Sequence, residues 1–435
     1  MGQPVSGPLK NLPSILERLS FLPNLYLVGG AVRDILLGLE PEDLDFATSA
    51  PPEVVLRLAQ EHGLEAIPTG LEYGTVTVLL GHHPYEVTTF RRDVETYGRH
   101  ARVVWGQSIE EDLSRRDFTI GAIAMDAGGR VIDPYRGQAD LEAKRLRAVG
   151  DPRQRFREDY LRVIRAGRLA ARYGFEIESE TLEAARQAAS EVLSHVAVER
   201  VTAEFNKAFQ NGTPSRFLRY LYDLGILQRL IPEFEGTDRL RQNPRWHPEG
   251  DVLTHVLEVV DRAEPEVRWH ALLHDVGKRD TAEWKPEGWY SFHGHEVVGA
   301  ERIPRIAQDL RLSSELRQEL EVTTRLHMVP VLTPPTPGAI RRFQAQAGPH
   351  LLRLEQLCRA DAGDRRDPAA WKFFEPQPVP VQPLLKGRHL VERGHTPGPE
   401  FGRLLKAAFA YQLETGETAI ERLYQAALRA EGPQR

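Results

Sequence analysis

Two carboxylates stand two residues apart, Asp43 and Asp45, in a segment (43–47) that alternates polar and apolar residues. This alternation predicts a half-buried strand, and its period of two places both carboxylates on one face. Paired carboxylates can hold Mg²⁺ ions together with substrate phosphates. Two such ions would activate an attacking hydroxyl group and stabilise a leaving pyrophosphate. An isolated Asp-x-Asp is usually solvated surface, so the neighbouring segments must decide its role.

The segment before this pair predicts a place for a triphosphate. Residues 25–29 are typical of a buried strand, Gly29 and Gly30 of a turn, and 31–38 of a short helix. Glycines let a phosphate approach the backbone, and a helix N-terminus favours an anion. Arg33, one turn into the helix, can reach a phosphate. An ordinary strand–turn–helix corner has the same pattern, so this signal is weak by itself.

A donor and an acceptor that could recognise a nucleobase lie on the helix predicted over 158–173. Asp159 and Arg162 are three residues apart and therefore share a face. Fixed side by side, they can imitate the Watson–Crick edge of a base and select a nucleotide without a template. An intrahelical salt bridge is the alternative. Arg165 and Arg168 extend this face, and the stretch 151–172 holds seven arginines against three acidic residues, a local net charge of +4 that suits phosphates.

The periodicity predicts an α+β fold. Segments 74–80, 85–90 and 118–125 are rich in β-branched residues and, with 25–29 and 43–47, predict a small mixed sheet. From about residue 155 apolar residues recur at helical spacing and strand signals nearly vanish. A proline-rich run (376–383) predicts an extended linker before a helical tail.

Composition excludes several classes of protein. The formal net charge of −6 argues against a surface coated in basic residues, although a local basic patch suffices for nucleic acid. Cys358 is the only cysteine, which excludes an internal disulfide and fits the predicted cytoplasmic location. No stretch approaches the roughly twenty apolar residues needed to cross a bilayer, so no membrane partner is predicted.

Six ordered segments resemble the tRNA nucleotidyltransferase / poly(A) polymerase family, in its bacterial class II branch. They are LVGGAVRDILLG, EDLDFATS, EVTTF, EEDLSRRDFTIGAIA, DPYRGQADLEAKRLRAVG and RFREDYLRVIRAGRLAARYGF, and the resemblance covers about the first 230 residues. It implies an enzyme that adds CMP, AMP or both to the 3′ end of tRNA, with CTP and ATP as partners.

The resemblance also implies the roles of individual residues. Asp43 and Asp45 would be catalytic and hold two Mg²⁺ ions. The implied nucleotide-binding residues are Gly29, Gly30, Arg33, Arg116, Asp117, Asp159, Arg162, Arg165 and Arg168. Among them, Arg116 and Asp117 would meet the phosphate and sugar, although Arg115-Arg116-Asp117 alone could be a solvated charge run. Glu86, on a neighbouring predicted strand, is a further acidic candidate.

A later block resembles the HD phosphohydrolase superfamily. The matching residues are His255, His274, Asp275 and Asp361, and His295 and His327 occupy places where relatives have further ligands or phosphate contacts. Imidazole and carboxylate ligands suit a divalent metal such as Mn²⁺, Ni²⁺, Fe²⁺ or Mg²⁺. A phosphohydrolase activity on damaged RNA ends is possible, but some members of the superfamily have lost activity.

The predicted domains are a catalytic head (1–150), a helical nucleotide-selecting and RNA-binding neck and elongated body (151–235), an α-helical HD domain (245–365) and a helical tail (385–435). Two departures from the family pattern stand out. Gly121 occupies a position that is usually Asn, and the segment between Phe90 and Ile109, with Tyr97, Gly98, Arg99 and His100, is shorter than in CCA-adding relatives. The short segment suggests the hypothesis of a CC-adding enzyme.

Three other functions remain open at this stage. A poly(A) polymerase shares the motifs of the catalytic half. A catalytically inactive RNA-binding module would not need the Asp43/Asp45 and Asp159/Arg162 pairs. An HD phosphohydrolase could use the first half only to position RNA. The oligomeric state is left open.

Overall fold

The computed structural model describes residues 8–97, 100–332, 335–363 and 368–430. Gly98 and Arg99, which belong to the short segment, lie outside the described residues. The chain forms two compact units, one ending at Leu227 and one beginning at Gln228. The boundaries of the four predicted domains stay predictions.

Strands concentrate near the start of the chain, as predicted. Their bounds are β1 Tyr26–Val28, β2 Asp45–Thr48, β3 Glu65–Gly70, β4 Thr75–Leu80, β5 His83–Thr89, β6 Arg91–Tyr97, β7 His100–Trp105, β8 Ala124–Asp126, β9 Val131–Ile132, β10 Arg145–Leu146, β11 Glu176–Ile177, β12 Glu283–Lys285 and β13 Trp289–Ser291. Within the described residues, seven of them form one sheet in the order β3-β4-β5-β2-β1-β8-β9. The sheet is mixed because β2 and β5 are parallel and the other neighbours antiparallel.

Helices dominate after the sheet. Up to the end of the first unit they are α1 Pro8–Arg18, α2 Gly30–Leu36, α3 Pro52–Glu61, α4 Ile109–Ser114, α5 Gly137–Glu142, α6 Pro152–Glu158, α7 Leu161–Tyr173, α8 Ser179–Ala188, α9 Val192–His195, α10 Val198–Gln210, α11 Pro214–Asp223 and α12 Ile226–Leu230. They continue as α13 Val252–Arg262, α14 Arg268–Leu273, α15 His295–Asp309, α16 Ser314–Leu326, α17 Val329–Leu332, α18 Pro337–Ala347, α19 Leu351–Ala362, α20 Pro368–Trp371, α21 Gly387–Val391, α22 Pro399–Thr415 and α23 Ile420–Ala430. The α+β fold class is confirmed.

The apolar face of the sheet determines how its acidic residues point. Leu44 and Phe46 are buried, whereas Asp43 and Asp45 between and before them are exposed. The alternation predicted from the sequence is therefore present, although the strand begins only at Asp45. Burial of the two apolar side chains fixes the register, because a slip by one residue would exchange the two faces.

Several element predictions were wrong in detail. The helix predicted over 158–173 is two helices, because Asp159 is extended (φ −151°, ψ 105°) and its Oδ1 accepts from the backbone N–H of Leu161 at 3.1 Å. Segment 118–125 is a short 3₁₀ turn, Thr119–Gly121, before β8. The predicted helical remainder also contains β11, which pairs with β10 ahead of it, and the hairpin β12–β13. Local side-chain capping and long-range pairing overrode the periodicity in these places.

In the second unit, apolar clusters support the helices. One cluster packs α18 and α19 around Phe343, Leu354 and Phe373, and another packs α22 against α23. Between them, the predicted linker has no regular structure but is held by buried Gln412, whose Nε2 donates to the carbonyls of Pro380 and Gln382 at 2.8 and 2.9 Å. Among the described residues, no helix is long and apolar enough to cross a membrane.

Candidate active sites

An acidic corner forms where β2 lies beside β5. Their parallel pairing places Asp45 in register with Glu86, and both residues line a cleft of about 760 Å³. Gly29 and Gly30 line the same cleft. Asp43 is exposed on the same face but is not among the lining residues. Partial burial, with the neighbouring carboxylates of Glu86 and Asp43, raises the pKa of Asp45, while Arg116 opposes this shift. This excess of carboxylate oxygens suits a hard divalent cation.

Arg116 lies against the turn that contains Gly29 and Gly30. Gly29 has a φ of 70°, and a Cβ there would collide with the guanidinium of Arg116. Buried Asp112 holds that guanidinium at 3.3 Å and also binds Arg115 at 2.8 Å. Arg116 and Gly29 therefore lie together at one wall of the cleft. Sequence reasoning missed Asp112, which belongs to the predicted charged segment but carries no motif of its own.

A network of ion pairs connects the head to the helices that follow. Asp117 accepts from Arg162 Nε at 2.6 Å and from Arg165 Nη1 at 2.7 Å. Burial alone would raise the pKa of Asp117, but these two guanidinium groups hold it below its usual value. Arg165 and Arg168 also bind Glu204 of α10, at 3.1 and 2.5 Å. The predicted phosphate-binding arginines are thus held in place before any substrate binds.

The predicted base-reading pair faces the cleft from the junction of α6 and α7. The backbone N–H of Arg162 donates to the carbonyl of Asp159 at 3.0 Å, but in the described structure their side chains form no ion pair with each other. Asp159 Oδ2 binds Arg200 at 2.8 Å, and Arg162 Nη1 binds Glu158 at 2.7 Å. The salt-bridge alternative is therefore wrong, and so is the placement of both residues on one continuous helix.

Arg162 keeps little free hydrogen-bonding capacity. Besides Asp117 and Glu158, it donates to the carbonyls of Arg155 (2.7 Å) and Arg115 (3.2 Å). Of the five N–H groups of a guanidinium, one therefore has no partner among the described residues. The carboxylate of Asp159 can accept further bonds. Together they can offer an acceptor to an amino group and a donor to a ring nitrogen of a base.

In the second unit, four buried imidazoles are oriented in the same manner. His274, His295 and His327 each place Nδ1 within 2.7–2.8 Å of the backbone carbonyl three residues earlier, and Nδ1 of His255 lies 2.6 Å from Glu249 Oε1. These bonds fix the tautomer, so that each Nε2 is a free electron-pair donor. The His274–Asp275 pair directly follows α14 and does not lie within it.

The described residues contain three groups that could hold a metal ion; one is His247, Glu249 and His255, and the Nε2 atoms belong to the other two. His255, His274 and Asp361 form one of these two, and Asp275, His295 and His327 form the other. Asp275 lies between them, with Oδ2 3.1 Å from His274 Nε2 and Oδ1 3.1 Å from His295 Nε2. All six residues predicted from the sequence are therefore brought together, with one carboxylate shared between two groups.

Sequence reasoning missed three neighbours of this cluster. Lys278 Nζ lies 2.6 Å from Asp275 Oδ2 and donates to Gln242 at 2.7 Å. Glu249 accepts from both His255 and His247. Burial, with the nearby charge of Lys278, lowers the pKa of His247 to about 4. Only Lys278, three residues after Asp275, carried a sequence signal that could have identified it.

Domain models of known families match segments of both units. Residues 25–147 match the poly A polymerase head domain, 174–237 the probable RNA- and SrmB-binding site of polymerase A, and 252–366 the HD domain. The two units thus carry a nucleotidyltransferase head and an HD domain. Since the head defines its class, the protein is a nucleotidyltransferase.

Whole-chain relatives identify the family. The chain is 35% identical over 409 residues to the multifunctional CCA protein of Methylococcus capsulatus, covering 88% of this chain and 92% of that one. It is 37% identical over 314 residues to that of Herminiimonas arsenicoxydans, covering 70% and 73%. The crystal structure of the Bacillus stearothermophilus CCA-adding enzyme in complex with CTP matches with a TM-score of 0.73 and 28% identity, over 98% of both chains. The chain belongs to the tRNA nucleotidyltransferase / poly(A) polymerase family, among the multifunctional CCA proteins.

Proposed function

We propose that this protein adds CMP, AMP or both to the 3′ end of tRNA. The observation that carries the proposal is the shared cleft: Asp45 and Glu86 at one side, the Gly29-Gly30 corner, and the Asp159/Arg162 pair. Such a cleft can hold a triphosphate, a cation and a base at once. The names of the curated relatives favour a CCA end over a poly(A) tail.

The residues divide the work of the reaction. Asp43 and Asp45, with Glu86 beside them, would hold two Mg²⁺ ions, which supply a Lewis acid for the attacking hydroxyl and the leaving pyrophosphate. Arg33, Arg116, Arg165 and Arg168 would bind the phosphates. Asp159 would accept from the exocyclic amino group of cytosine or adenine, and Arg162 would donate to the ring nitrogen. Uracil and guanine present a carbonyl oxygen to Asp159 and would be repelled.

End-sequencing tests this proposal. A tRNA transcript that lacks its CCA end is incubated with CTP, ATP or both, and its 3′ end is read. One to three nucleotides added in the order C, C, A support a tRNA nucleotidyltransferase. A long adenosine tail on ATP alone, also on an oligonucleotide that is not tRNA, would instead show a poly(A) polymerase.

The CC-adding hypothesis stays a prediction. The segment in question contains β6 and β7, which pair antiparallel, whereas Gly98 and Arg99 lie outside the described residues. The same sequencing experiment decides the matter. Products that end in CC in the presence of both nucleotides support the hypothesis, and a complete CCA end refutes it. A tRNA substrate also accords with the predicted cytoplasmic location.

We further propose that the HD cluster holds two divalent metal ions and hydrolyses a phosphate ester at an RNA end. The observation that favours this activity is the sharing of Asp275 between two ligand groups, with each imidazole oriented through Nδ1. The mixture of imidazole and carboxylate ligands suits Mn²⁺, Ni²⁺ or Mg²⁺ and gives no basis for choosing among them. Bound ions would supply a hydroxide nucleophile and neutralise the phosphate.

Metal analysis of the purified protein tests the cluster directly. We expect two ions per chain and one ion after His295→Ala. We also expect release of phosphate from a 2′-phosphate, or opening of a 2′,3′-cyclic phosphate to a monophosphate, and loss of this hydrolysis in His274→Ala. Activity that survives unchanged in His274→Ala would end this proposal. The transferase reaction of both variants serves as the control for folding.

A further inference from the structure

Arg33, which is proposed to bind the triphosphate, is held in place by two other residues. Arg33 is buried, and its guanidinium turns back toward Gly30, with Nη2 3.4 Å from the position that a Cβ on Gly30 would take. Its Nε donates to the buried carboxylate of Asp34 at 2.9 Å. Asp34 is the next residue on the same short helix, so this one bond leaves the position of the Arg33 guanidinium incompletely defined. A further contact is needed to fix it.

That contact comes from Tyr173, the last residue of α7. Its hydroxyl donates to the same oxygen, Asp34 Oδ1, at 2.9 Å. The guanidinium carbon of Arg33 also lies 4.5 Å from the centroid of the Tyr173 ring, a cation–π contact. Tyr173 therefore touches Arg33 directly and through Asp34. Burial raises the pKa of Tyr173 to about 12, so the hydroxyl keeps its proton and remains a donor at neutral pH.

The end of α7 makes a second contact with the head. Arg172, beside Tyr173, binds Glu42 at 2.8 Å, and Glu42 is the residue before Asp43. Further back on α7 lie Arg162 and Arg165, eleven and eight residues before Tyr173. A helix rises 1.5 Å per residue, so α7 spans about 16 Å between the base-reading arginine and the tyrosine.

We propose that Tyr173 is a positioning residue that holds Arg33 in the orientation in which it binds the nucleoside triphosphate. One rigid helix would then set both the recognition of the base, through Arg162, and the position of the phosphate-binding arginine of the head. The proposal rests on the proposed function, in which Arg33 contacts the triphosphate. Tyr173 touches no substrate itself, and its effect passes through Arg33 and Asp34.

Two substitutions separate the two contacts. Tyr173→Phe removes the hydroxyl bond to Asp34 and keeps the ring over Arg33, whereas Tyr173→Leu removes both. We expect the KM for CTP to rise roughly threefold in the first and roughly tenfold or more in the second, as loss of charge-assisted and cation–π contacts predicts. The rise should be equal for ATP, because the triphosphate is common to both nucleotides. The ratio of CTP to UTP incorporation should stay as in the wild type.

Inhibition by pyrophosphate supplies a readout that a merely structural role would not change. Pyrophosphate shares the phosphate contacts of the substrate, so its inhibition constant should rise in parallel with KM. Tyr220→Phe is the matched control: its hydroxyl binds the Val163 carbonyl of the same helix at 3.0 Å. That variant should lower the melting temperature without altering KM or pyrophosphate inhibition.

The arms of the experiment distinguish failure of this inference from failure of the proposed function. If Arg33→Ala leaves the KM for CTP and pyrophosphate inhibition unchanged, Arg33 does not bind the triphosphate, and the proposed role of that residue is wrong. If Arg33→Ala raises both constants but Tyr173→Phe and Tyr173→Leu raise neither, only the inference about Tyr173 is overturned. Support requires, in addition, that the double variant with Arg33→Ala and Tyr173→Leu has nearly the same KM for CTP as Arg33→Ala alone.

Discussion

The cleft of the first unit and the histidine cluster of the second unit hold their functional groups by different physical means. In the cleft, charged side chains hold one another: Asp117 binds two arginines, and Glu204 binds two. In the cluster, backbone carbonyls hold three of the four imidazoles, each through Nδ1. The cleft is open and lined by arginines, whereas the cluster is almost completely buried.

Because of this difference, the two sites should rearrange to different extents when a ligand binds. A substrate that enters the cleft must exchange existing ion pairs for its own phosphates and base, so recognition and rearrangement are coupled. In the cluster, the bonds at Nδ1 already orient each imidazole with Nε2 facing the other ligand atoms, so the binding of a metal ion requires less rearrangement of side chains. We therefore expect substitutions in the ion-pair network of the cleft to have gradual effects, and substitutions of the imidazoles in the cluster to have sharp ones.

The largest expected effect separates the two chemistries. Asp45→Asn should lower nucleotidyl transfer by about three orders of magnitude, the loss expected when several kcal/mol of metal-ion stabilisation disappear, and should leave phosphate release at the cluster intact. His274→Ala should do the reverse. The measurement is a matched pair of assays, pyrophosphate release with tRNA and phosphate release from a nucleoside 2′-phosphate. Pyrophosphate release that is unchanged in Asp45→Asn would contradict the assignment of nucleotidyl transfer to the cleft.

Substitution of single glycines should break one site at a time. A Cβ on Gly277 would collide with the carbonyl oxygen of His295 and lie 2.6 Å from the backbone nitrogen of Gly299. Gly277→Ala should therefore displace His295 and remove at least one bound metal ion, with transferase activity retained. Gly29→Ala should instead damage the transferase, because φ is 70° and Arg116 occupies the space.

Gly121→Ala is the control for both glycine substitutions. A Cβ at Gly121 would meet nothing within 4 Å, and this is the position at which the family usually has Asn. Both activities and the metal content should be unchanged. Full metal content and phosphate release in Gly277→Ala would contradict the view that the cluster depends on close backbone packing.

The sequence could predict the features that depend on local patterns, but not those that depend on contacts between distant segments. The alternation around Asp43 and Asp45 and the glycines before them are local patterns, so the strand face and the corner could be predicted. The position of Glu86 beside Asp45 depends on the parallel register of β2 and β5, which no local pattern reveals. The break at Asp159 arises from its own side chain capping Leu161, and the helical periodicity on both sides concealed it.

Contacts between residues distant in the chain could not be predicted, because the contacting residues form no recognisable motif. Arg200 and Glu204 are one turn apart on α10 but form no motif. Arg200 contacts Asp159, and Glu204 contacts Arg165 and Arg168. In the cluster, the family resemblance supplied the six ligands in order, and the structure added their division into two groups around Asp275. Only folded geometry shows which carboxylate is shared.

A smaller effect tests the network of the cleft. Arg200→Ala removes the ion pair at 2.8 Å that holds Asp159. We expect the KM for CTP to rise roughly tenfold, the usual size for one charge-assisted hydrogen bond, and misincorporation of UTP to increase. Arg200→Lys should restore part of the selectivity. Arg219→Ala, which breaks an exposed pair with Asp223 on α11, is the control and should change neither quantity. Unaltered UTP discrimination in Arg200→Ala would show that Asp159 needs no support from α10.

The smallest expected effect concerns a histidine that the cluster does not use. His270 is fully buried, and neither ring nitrogen has a hydrogen bond in the described structure; the nearest carboxylate, Glu319, is 3.6 Å away. Burial, then the charges of Arg353 and His350, lower the pKa of His270 to about 4. The unfolded chain therefore binds a proton below pH 6.5 that the folded chain excludes. Stability should fall as pH decreases from about 6.5 to about 4, by at most about 3 kcal/mol.

His270→Leu should flatten this pH dependence and retain the metal ions, because burial without an oriented Nε2 does not make a ligand. Melting temperatures at pH 7 and pH 5, with metal content at pH 7, provide the measurement. His82→Leu, at an exposed turn before β5, is the control and should keep the pH dependence of the wild type. If His270→Leu loses a metal ion, the distinction between oriented and merely buried imidazoles fails. If its stability still declines as in the wild type, groups other than His270 cause the acid sensitivity of this unit.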